Sequence, residues 1–405
     1  MAVLKFHEAR ATVLRIARRF RRLPPPERVP LSESAGRVLA EPIVADRDLP
    51  PFPRATRDGY ALRHADTAHP PARLRLRGQV KAGECFPGTV NRGECVEIMT
   101  GAPVPEGADA VAMVEHAARD GEWVEIGRPL AAGENIVAQG SEARRGDRLL
   151  GPGRRIGYGE VALMAAVGAE SLAVYPTPRV AILPTGDEVV EVGKRPGPSQ
   201  IRNSNRYSLQ AQVAAAHGAG VPLGIAPDRE DRLRAMVEEG LRYDLLLLSG
   251  GVSAGRYDLV EQVLAACGAE FFFDGVLIQP GRPLVFGRAR ETLFFGLPGN
   301  PLSTMVTFEL FVRPCLAILS GEEYEPAPWL RARLSRDLRR KPGLTAFLPA
   351  WLGGENEAPL VTPVEWKGSG DMASLARANC FLVVPEEAAE LRAGEWVGVL
   401  PRSMS

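Results

Sequence analysis

Four short stretches each follow an apolar run of strand length and offer glycine, a hydroxyl or a carboxylate. Pro184-Thr185-Gly186-Asp187-Glu188 follows Val180 to Leu183, and Pro227-Asp228 follows Val221 to Ala226. Ser249-Gly250-Gly251-Val252-Ser253-Ala254-Gly255, with Asp258 just beyond, follows Leu245 to Leu248. Gly296-Leu297-Pro298-Gly299-Asn300-Pro301-Leu302-Ser303 follows Thr292 to Phe295. Glycine lets the backbone approach a ligand closely, and its N–H groups can cradle phosphate. A helix opening at Asn300-Pro301 points its positive dipole end at an anion. The carboxylates Asp187, Glu188, Asp228 and Asp258 would repel a phosphate unless a hard divalent cation such as Mg²⁺ stands between them. Each stretch also has a plain structural reading. Asn300-Pro301 and Asp187 serve equally as helix or turn caps. Ser249-Gly250-Gly251 alone is shared by many tight turns and matches neither the P-loop nor GxGxxG. The convergence of the four on strand ends is what favours a phosphate-and-metal pocket, because doubly wound sheets bind ligands outside the carboxyl ends of their strands.

These loops need a sheet to hold them. Over 177–325 apolar strands alternate with helical periodicity: Arg206 to Ala216, Arg229 to Gly240, Leu259 to Ala266 and a long apolar helix from Pro301 to Leu319. Pro283-Leu284-Val285-Phe286 reads as an antiparallel partner of Thr292 to Phe295. The pattern predicts a mostly parallel sheet with helices on both faces. Around it lie three further units. Residues 49–138 alternate short apolar stretches with Gly/Pro/Asn turns and predict an inserted small β-domain, a barrel or sandwich. Residues 1–48 and 139–176 form a discontinuous N-terminal unit. It opens with an amphipathic helix carrying Val13, Leu14, Ile16, Ala17 and Phe20, stopped by Pro24-Pro25-Pro26. Arg154 to Val174 returns to helical spacing and rejoins that unit. Residues 326–405 predict a C-terminal β-domain. The fold class is multidomain α/β plus β.

The 405 residues exceed one ordinary core. Lys+Arg and Asp+Glu both number 49, so the formal charge is zero, which argues against nucleic acid or a membrane surface as partner. No uncharged apolar run of membrane length is expected to span a bilayer. Five cysteines without a CxxC pair point to reduced thiols in a cytoplasmic protein rather than to a disulfide framework or zinc ribbon. The five histidines show no ligand spacing.

A wider set of motifs carries a family resemblance. Asp58-Gly59-Tyr60-Ala61, Thr100-Gly101-Ala102, Gly107-Ala108-Asp109-Ala110-Val111, Gly133-Glu134-Asn135-Ile136, Asn203-Ser204-Asn205-Arg206 and the strand-end loops above occur in order along nearly the whole chain. Together they resemble the molybdopterin molybdenumtransferases of the bacterial MoeA type, similar to the gephyrin E domain. The resemblance implies four domains, an elongated homodimer with the site shared between subunits, and insertion of molybdate into adenylylated molybdopterin with Mg²⁺ and release of AMP. The product would pass to apo-molybdoenzymes or their chaperones. Carried over by position, Asp58 and Thr100 lie on the insert side, and Glu188, Asp228 and Asp258 serve as catalytic and metal-binding carboxylates. Thr185, Gly186, Asp187, Ser249, Gly250, Gly251, Ser253, Arg282, Pro298, Gly299, Asn300 and Ser369 would bind substrate. The family's lysine-rich motif is represented by Ile278-Gln279-Pro280-Gly281-Arg282-Pro283, where only Arg282 keeps a cation. Arg206 and Arg256 are candidate replacements for the missing charge. Alternatives that share the fold are a molybdopterin adenylyltransferase, a tungstate-using paralogue, and a non-catalytic carrier or scaffold for the cofactor. The N-terminal, inserted and C-terminal units argue against the adenylyltransferase, which resembles the α/β domain alone.

Overall fold

The computed structural model describes residues 2–251, 259–355 and 357–402. At its centre six strands lie in the order Ala219–Pro222, Arg179–Pro184, Leu245–Ser249, Thr292–Leu297, Val285–Ala289, Ala269–Phe273. The first four are mutually parallel, Val285–Ala289 runs antiparallel to both its neighbours, and Ala269–Phe273 at the edge again runs in the direction of the first four. Leu245–Ser249 is buried throughout, which explains its lack of polar alternation. Its side chains alternate between two cores: Leu245 and Leu247 join one, Leu246 and Leu248 the other. Helix Ser204–Ala215 brings Leu209 and Val213 to the first face. Helices Glu230–Gly240 and Leu259–Ala266 bring Leu233, Val237, Val263 and Leu264 to the second. Strand Ala269–Phe273 was not foreseen, and the second strand is Ala219–Pro222 rather than Val221 to Ala226.

The stretch from Pro301 to Leu319 is helical throughout but not uniform. Turns Pro301–Thr307 and Arg313–Leu319 flank a π-helical turn at Phe308–Val312. Its length and composition would suffice for a membrane span, yet 78% of the apolar window is buried inside the protein.

The first helix, Phe6–Phe20, matches its expected extent but not its expected neighbours. Its buried Phe6, Val13 and Ile16 join the α/β core, and Phe6 packs edge-on to Phe311 at 5.9 Å between centroids. Strand Val3–Leu4 pairs with Gly275–Val276 and anchors it there. Strands on either side of the insert pair with one another. Ser171–Tyr175 lies between Glu27–Pro30 and Val38–Leu39, and Arg148–Leu150 pairs with Ile43–Val44. Helical spacing from Arg154 to Val174 overreached, since only Tyr158–Ala166 is helix and Ser171–Tyr175 is strand.

The insert is an open mixed sheet of six strands rather than a closed barrel, with Ala117–Asp120 at one edge and Ala110–Met113 at the other. Its two faces carry separate apolar cores. The C-terminal unit does close. Thr345–Glu355, Ala358–Pro363, Leu330–Leu334, Trp396–Pro401 and Cys380–Val384 pair in sequence, and the last pairs back with the first. Ile278–Gln279 pairs with Thr345 and Ala346, tying this barrel to the α/β unit.

Candidate active site

Three parallel strands end level with one another: Pro184 is opposite Ser249, and Ser249 is opposite Leu297. Backbone bonds then join their loops. Thr185 N–H donates to the Ser249 carbonyl at 3.0 Å, and Gly250 N–H donates to the Leu297 carbonyl at 3.2 Å. Gly186 N–H donates to the Ala226 carbonyl at 3.1 Å, which brings in the loop holding Asp228. Together the loops bound a cleft of about 350 Å³, the lower end of the size range for small-ligand sites.

Glycine is required where the loops touch. Gly250 and Gly251 both have positive φ, +95° and +64°. A Cβ on Gly250 would stand 2.8 Å from the Thr185 carbonyl oxygen, and one on Gly251 would stand 2.8 Å from Val260 Cγ2. Any side chain would part the loops.

Thr185, Ser249, Gly250, Gly251, Pro298, Gly299 and Asn300 all line the cleft, as does Glu188. Gly186 (φ +128°) lies under the Glu188 carboxylate, where a Cβ would come within 2.4 Å of Oε2. Asp187 and Asp228 do not line the cleft; they hold each other. Asp228 N–H donates to Asp187 Oδ1 at 3.1 Å, and Asp187 N–H donates to Asp228 Oδ2 at 3.4 Å. Ser253 and Asp258 lie outside the described residues. Among the described residues no three or more His, Cys, Asp or Glu side chains gather as a metal cage. Arg282 is exposed and adjoins Pro283, which lines the cleft.

Asn300 settles one of the open readings. It stands before helix Pro301–Thr307, but its side chain makes no cap bond. Its Nδ2 donates instead to Ser369 Oγ at 2.8 Å, and Leu302 N–H donates to the Ser369 carbonyl at 3.1 Å. The C-terminal unit thus delivers Ser369 to the cleft mouth. Asp58 and Thr100 are brought together on the insert, where Asp58 Oδ1 accepts from both Thr100 N and Oγ1 at 2.7 Å. Neither lines this cleft.

Asn203 and Asn205 also line the cleft. Asn203 caps helix Ser204–Ala215, accepting from Arg206 N–H at 3.2 Å. Asn205 Nδ2 donates to Ser249 Oγ at 2.7 Å and to the Gly299 carbonyl at 2.8 Å, joining two strand-end loops. An asparagine just before a helical period is a cap signal, but nothing local in the sequence shows the second asparagine reaching two other loops. Arg206, a candidate extra cation, pairs with Glu191 at 3.2 Å.

Comparison with known proteins gives three family matches along the chain. The MoeA N-terminal region (domain I and II) matches residues 4–168, the probable molybdopterin binding domain residues 181–318, and the MoeA C-terminal region (domain IV) residues 331–401. The molybdopterin molybdenumtransferase of Bacillus subtilis (strain 168) is 35% identical over 383 residues, covering 92% of this chain and 89% of its own. That of Haemophilus influenzae is 33% identical over 378 residues, covering 92% of each. The crystal structure of the molybdopterin biosynthesis moeA protein from Pyrococcus horikoshii OT3 superposes with a TM-score of 0.81 at 30% identity, covering 99% of this chain and 100% of that one. On these matches and this site, the chain belongs to the MoeA family of molybdopterin molybdenumtransferases, enzymes of molybdenum cofactor biosynthesis.

Proposed function

We propose that the cleft takes adenylylated molybdopterin and that the protein, with Mg²⁺, inserts molybdate into the dithiolene and releases AMP. The observation that carries this reading is the meeting of Thr185–Glu188, Ser249–Gly251 and Pro298–Asn300 around one glycine-lined cleft with a carboxylate at its rim. Gly251 and Gly299 line the cleft, and their bare backbone lets a phosphate approach closely.

The donors at the rim fit a magnesium ion. They are oxygens: the exposed Glu188 carboxylate that lines the cleft, and the Asp187 and Asp228 carboxylates of the adjoining loops. A hard cation takes such ligands. Glu188, with Asp228 and Asp258, would hold it. When bound, Mg²⁺ would neutralise phosphate charge and polarise the adenylate phosphorus. Asp187 positions the Asp228 loop through their mutual bonds. Arg282, exposed and next to the lining Pro283, supplies the cation for molybdate. Gly299, Asn300 and Ser369 close the opposite wall.

Asp58 and Thr100 stand on the insert, outside the cleft of their own chain. In a homodimer they reach the cleft of the second subunit, and the product passes to apo-molybdoenzymes or their chaperones. The test is direct. Purified protein is supplied with adenylylated molybdopterin, molybdate and Mg²⁺, and AMP release and activation of an apo-molybdoenzyme are measured. Tight binding without AMP release across a wide range of molybdate concentrations would sink this reading in favour of a carrier.

A further inference from the structure

The C-terminal barrel has two kinds of outer surface. On one flank Phe347, Phe381 and Val383 are buried against the α/β core. On the other, outward side chains of four neighbouring strands stay in solvent. Register fixes which these are. Leu352, Val361, Leu334 and Val397 pack in the barrel core, so Trp351, Leu360, Arg333 and Trp396 beside them in sequence face out. Leu360 stands opposite Arg333, and Arg333 opposite Trp396. Trp351 stands opposite Thr362, two residues from Leu360 on the same face. Arg331, two residues before Arg333, shares that face. Trp351, Leu360 and Trp396 are 54%, 40% and 44% exposed. Single exposed apolar residues are ordinary, but a row of them on one face marks a contact surface. The row crosses three strand spacings, about 15 Å.

The row is charged and held in shape. The Arg333 guanidinium lies over the Trp396 ring, 4.9 Å from its centroid. Arg331 Nη2 donates to the Trp396 carbonyl at 2.8 Å, and Arg333 Nη1 donates to the Gly394 carbonyl at 2.9 Å. A carbonyl fixes a guanidinium but leaves its charge unneutralised. Tryptophan and arginine are the side chains on which binding energy concentrates at protein interfaces. Two fixed cations among exposed apolar groups complement an acidic segment that carries an apolar side chain. A second copy of this chain suits the row poorly, because a two-fold contact would set the same positive surface against itself. Single-stranded nucleic acid also uses arginine and aromatic rings, but two arginines in a chain of zero formal charge neutralise little of a phosphate backbone.

We infer that this outer row of the C-terminal barrel docks an acidic, apolar-bearing segment on the surface of the acceptor apo-molybdoenzyme. The inference rests on the proposed function, which makes a cofactor for such an acceptor. A hand-over contact must form and release, and transient encounters use small interfaces. None of the five side chains lines the cleft, so docking and AMP release are separable.

Full-length protein is immobilised and an apo-molybdoenzyme is passed over it at low and at physiological salt. AMP release and thermal melts are followed in parallel. Wild-type protein should bind the apo-enzyme, and more weakly as salt rises. Trp396→Ala should weaken binding roughly tenfold. Arg331→Glu/Arg333→Glu should weaken it further and flatten the salt dependence, and it leaves the aromatic rings in place should Trp396→Ala fold poorly. AMP release and melting midpoints should match wild type. Absence of wild-type binding, or variants that bind like wild type, overturns the inference. So does wild-type binding to single-stranded oligothymidylate in place of the apo-enzyme, or self-association that the same variants abolish. If AMP release fails in wild type while binding shows the expected losses, the reaction is misassigned and the docking surface stands. If AMP release proceeds while the variants bind like wild type, the docking surface alone is wrong.

Discussion

Asp58 and Thr100 form a closed pair on the insert: one carboxylate oxygen of Asp58 takes both the backbone N–H and the hydroxyl of Thr100, each at 2.7 Å. The two bonds, the backbone one first, hold the Asp58 carboxyl below the usual aspartate range. Thr100→Val removes one bond and keeps the other. The Asp58 pKa should therefore rise part of the way to its ordinary value, while Thr100→Ser leaves it low. Carbon-detected NMR titration of the side-chain carboxyl measures this. An unmoved pKa in Thr100→Val would mean the backbone bond alone sets it.

Glu188 is the carboxylate that lines the cleft, and the absence of a side chain on Gly186 leaves room for it. Glu188→Ala should lower Mg²⁺-dependent AMP release by about 10²-fold, the scale at which one charged catalytic group acts. The side chain is exposed, so the melting midpoint should stay within error of wild type. Asp258→Ala is expected to behave alike. Full turnover in both variants would place the metal elsewhere.

Much of this arrangement was legible in the sequence because it depends on local signals. Leu245 to Leu248 could be read as a two-faced strand from its unbroken apolar run. The loops after Leu183, Leu248 and Phe295 could be read as ligand-facing from the rule for strand ends. What escaped depends on distant pairing. The first helix looks like any amphipathic helix, and nothing near it reveals that Phe6 docks on Phe311. Ala269–Phe273 hid because its three consecutive phenylalanines break the period of two, and because its place at the sheet edge depends on Val285–Ala289. The insert and the C-terminal unit have similar strand spacing, yet only the second closes, since closure depends on Ala346 to Ala350 meeting Cys380 to Val384. Asn205 was visible as a motif, but its task lies in loops 44 and 94 residues away.

A pH effect follows from helix Leu259–Ala266. Burial, and then the nearby Asp274 carboxylate, push the Glu261 carboxyl above the ordinary glutamate range. A raised folded pKa means the protonated form suits the fold. That contribution is complete below the ordinary glutamate pKa and is lost as pH rises through the raised value. At neutral pH Glu261 therefore weakens the fold, and Asp274 Oδ1 beside it is buried without a partner. Glu261→Gln should melt higher than wild type at pH 7, and the gap should close near pH 4. A variant that melts lower at pH 7 would mean that the favourable place of Glu261 in the first helical turn outweighs its burial.

Arg155 links the N-terminal unit to the end of the core helix. Its guanidinium donates to Glu322 Oε2 through Nε at 2.8 Å, to the Gly36 carbonyl at 2.7 Å and to Ser320 Oγ at 2.9 Å. The Arg155 and Glu322 side chains are only 21% and 23% exposed, so this is not a screened surface pair. Removing one partner leaves the other half-buried and unpaired, which costs more than the pair contributes. Arg155→Met should destabilise the protein by about 1–3 kcal/mol. Glu322→Gln, which keeps an acceptor oxygen, should cost less. Arg155→Lys should recover little, because an ammonium cannot serve three separate acceptors in the plane of a guanidinium. The loss in Arg155→Met/Glu322→Gln should be smaller than the two single losses added, by about 0.5–3 kcal/mol, since the pair is in contact. Urea unfolding of the four proteins closes the cycle. Strict additivity would show that the carbonyl of Gly36 and the hydroxyl of Ser320, rather than the ion pair, hold Arg155 in place.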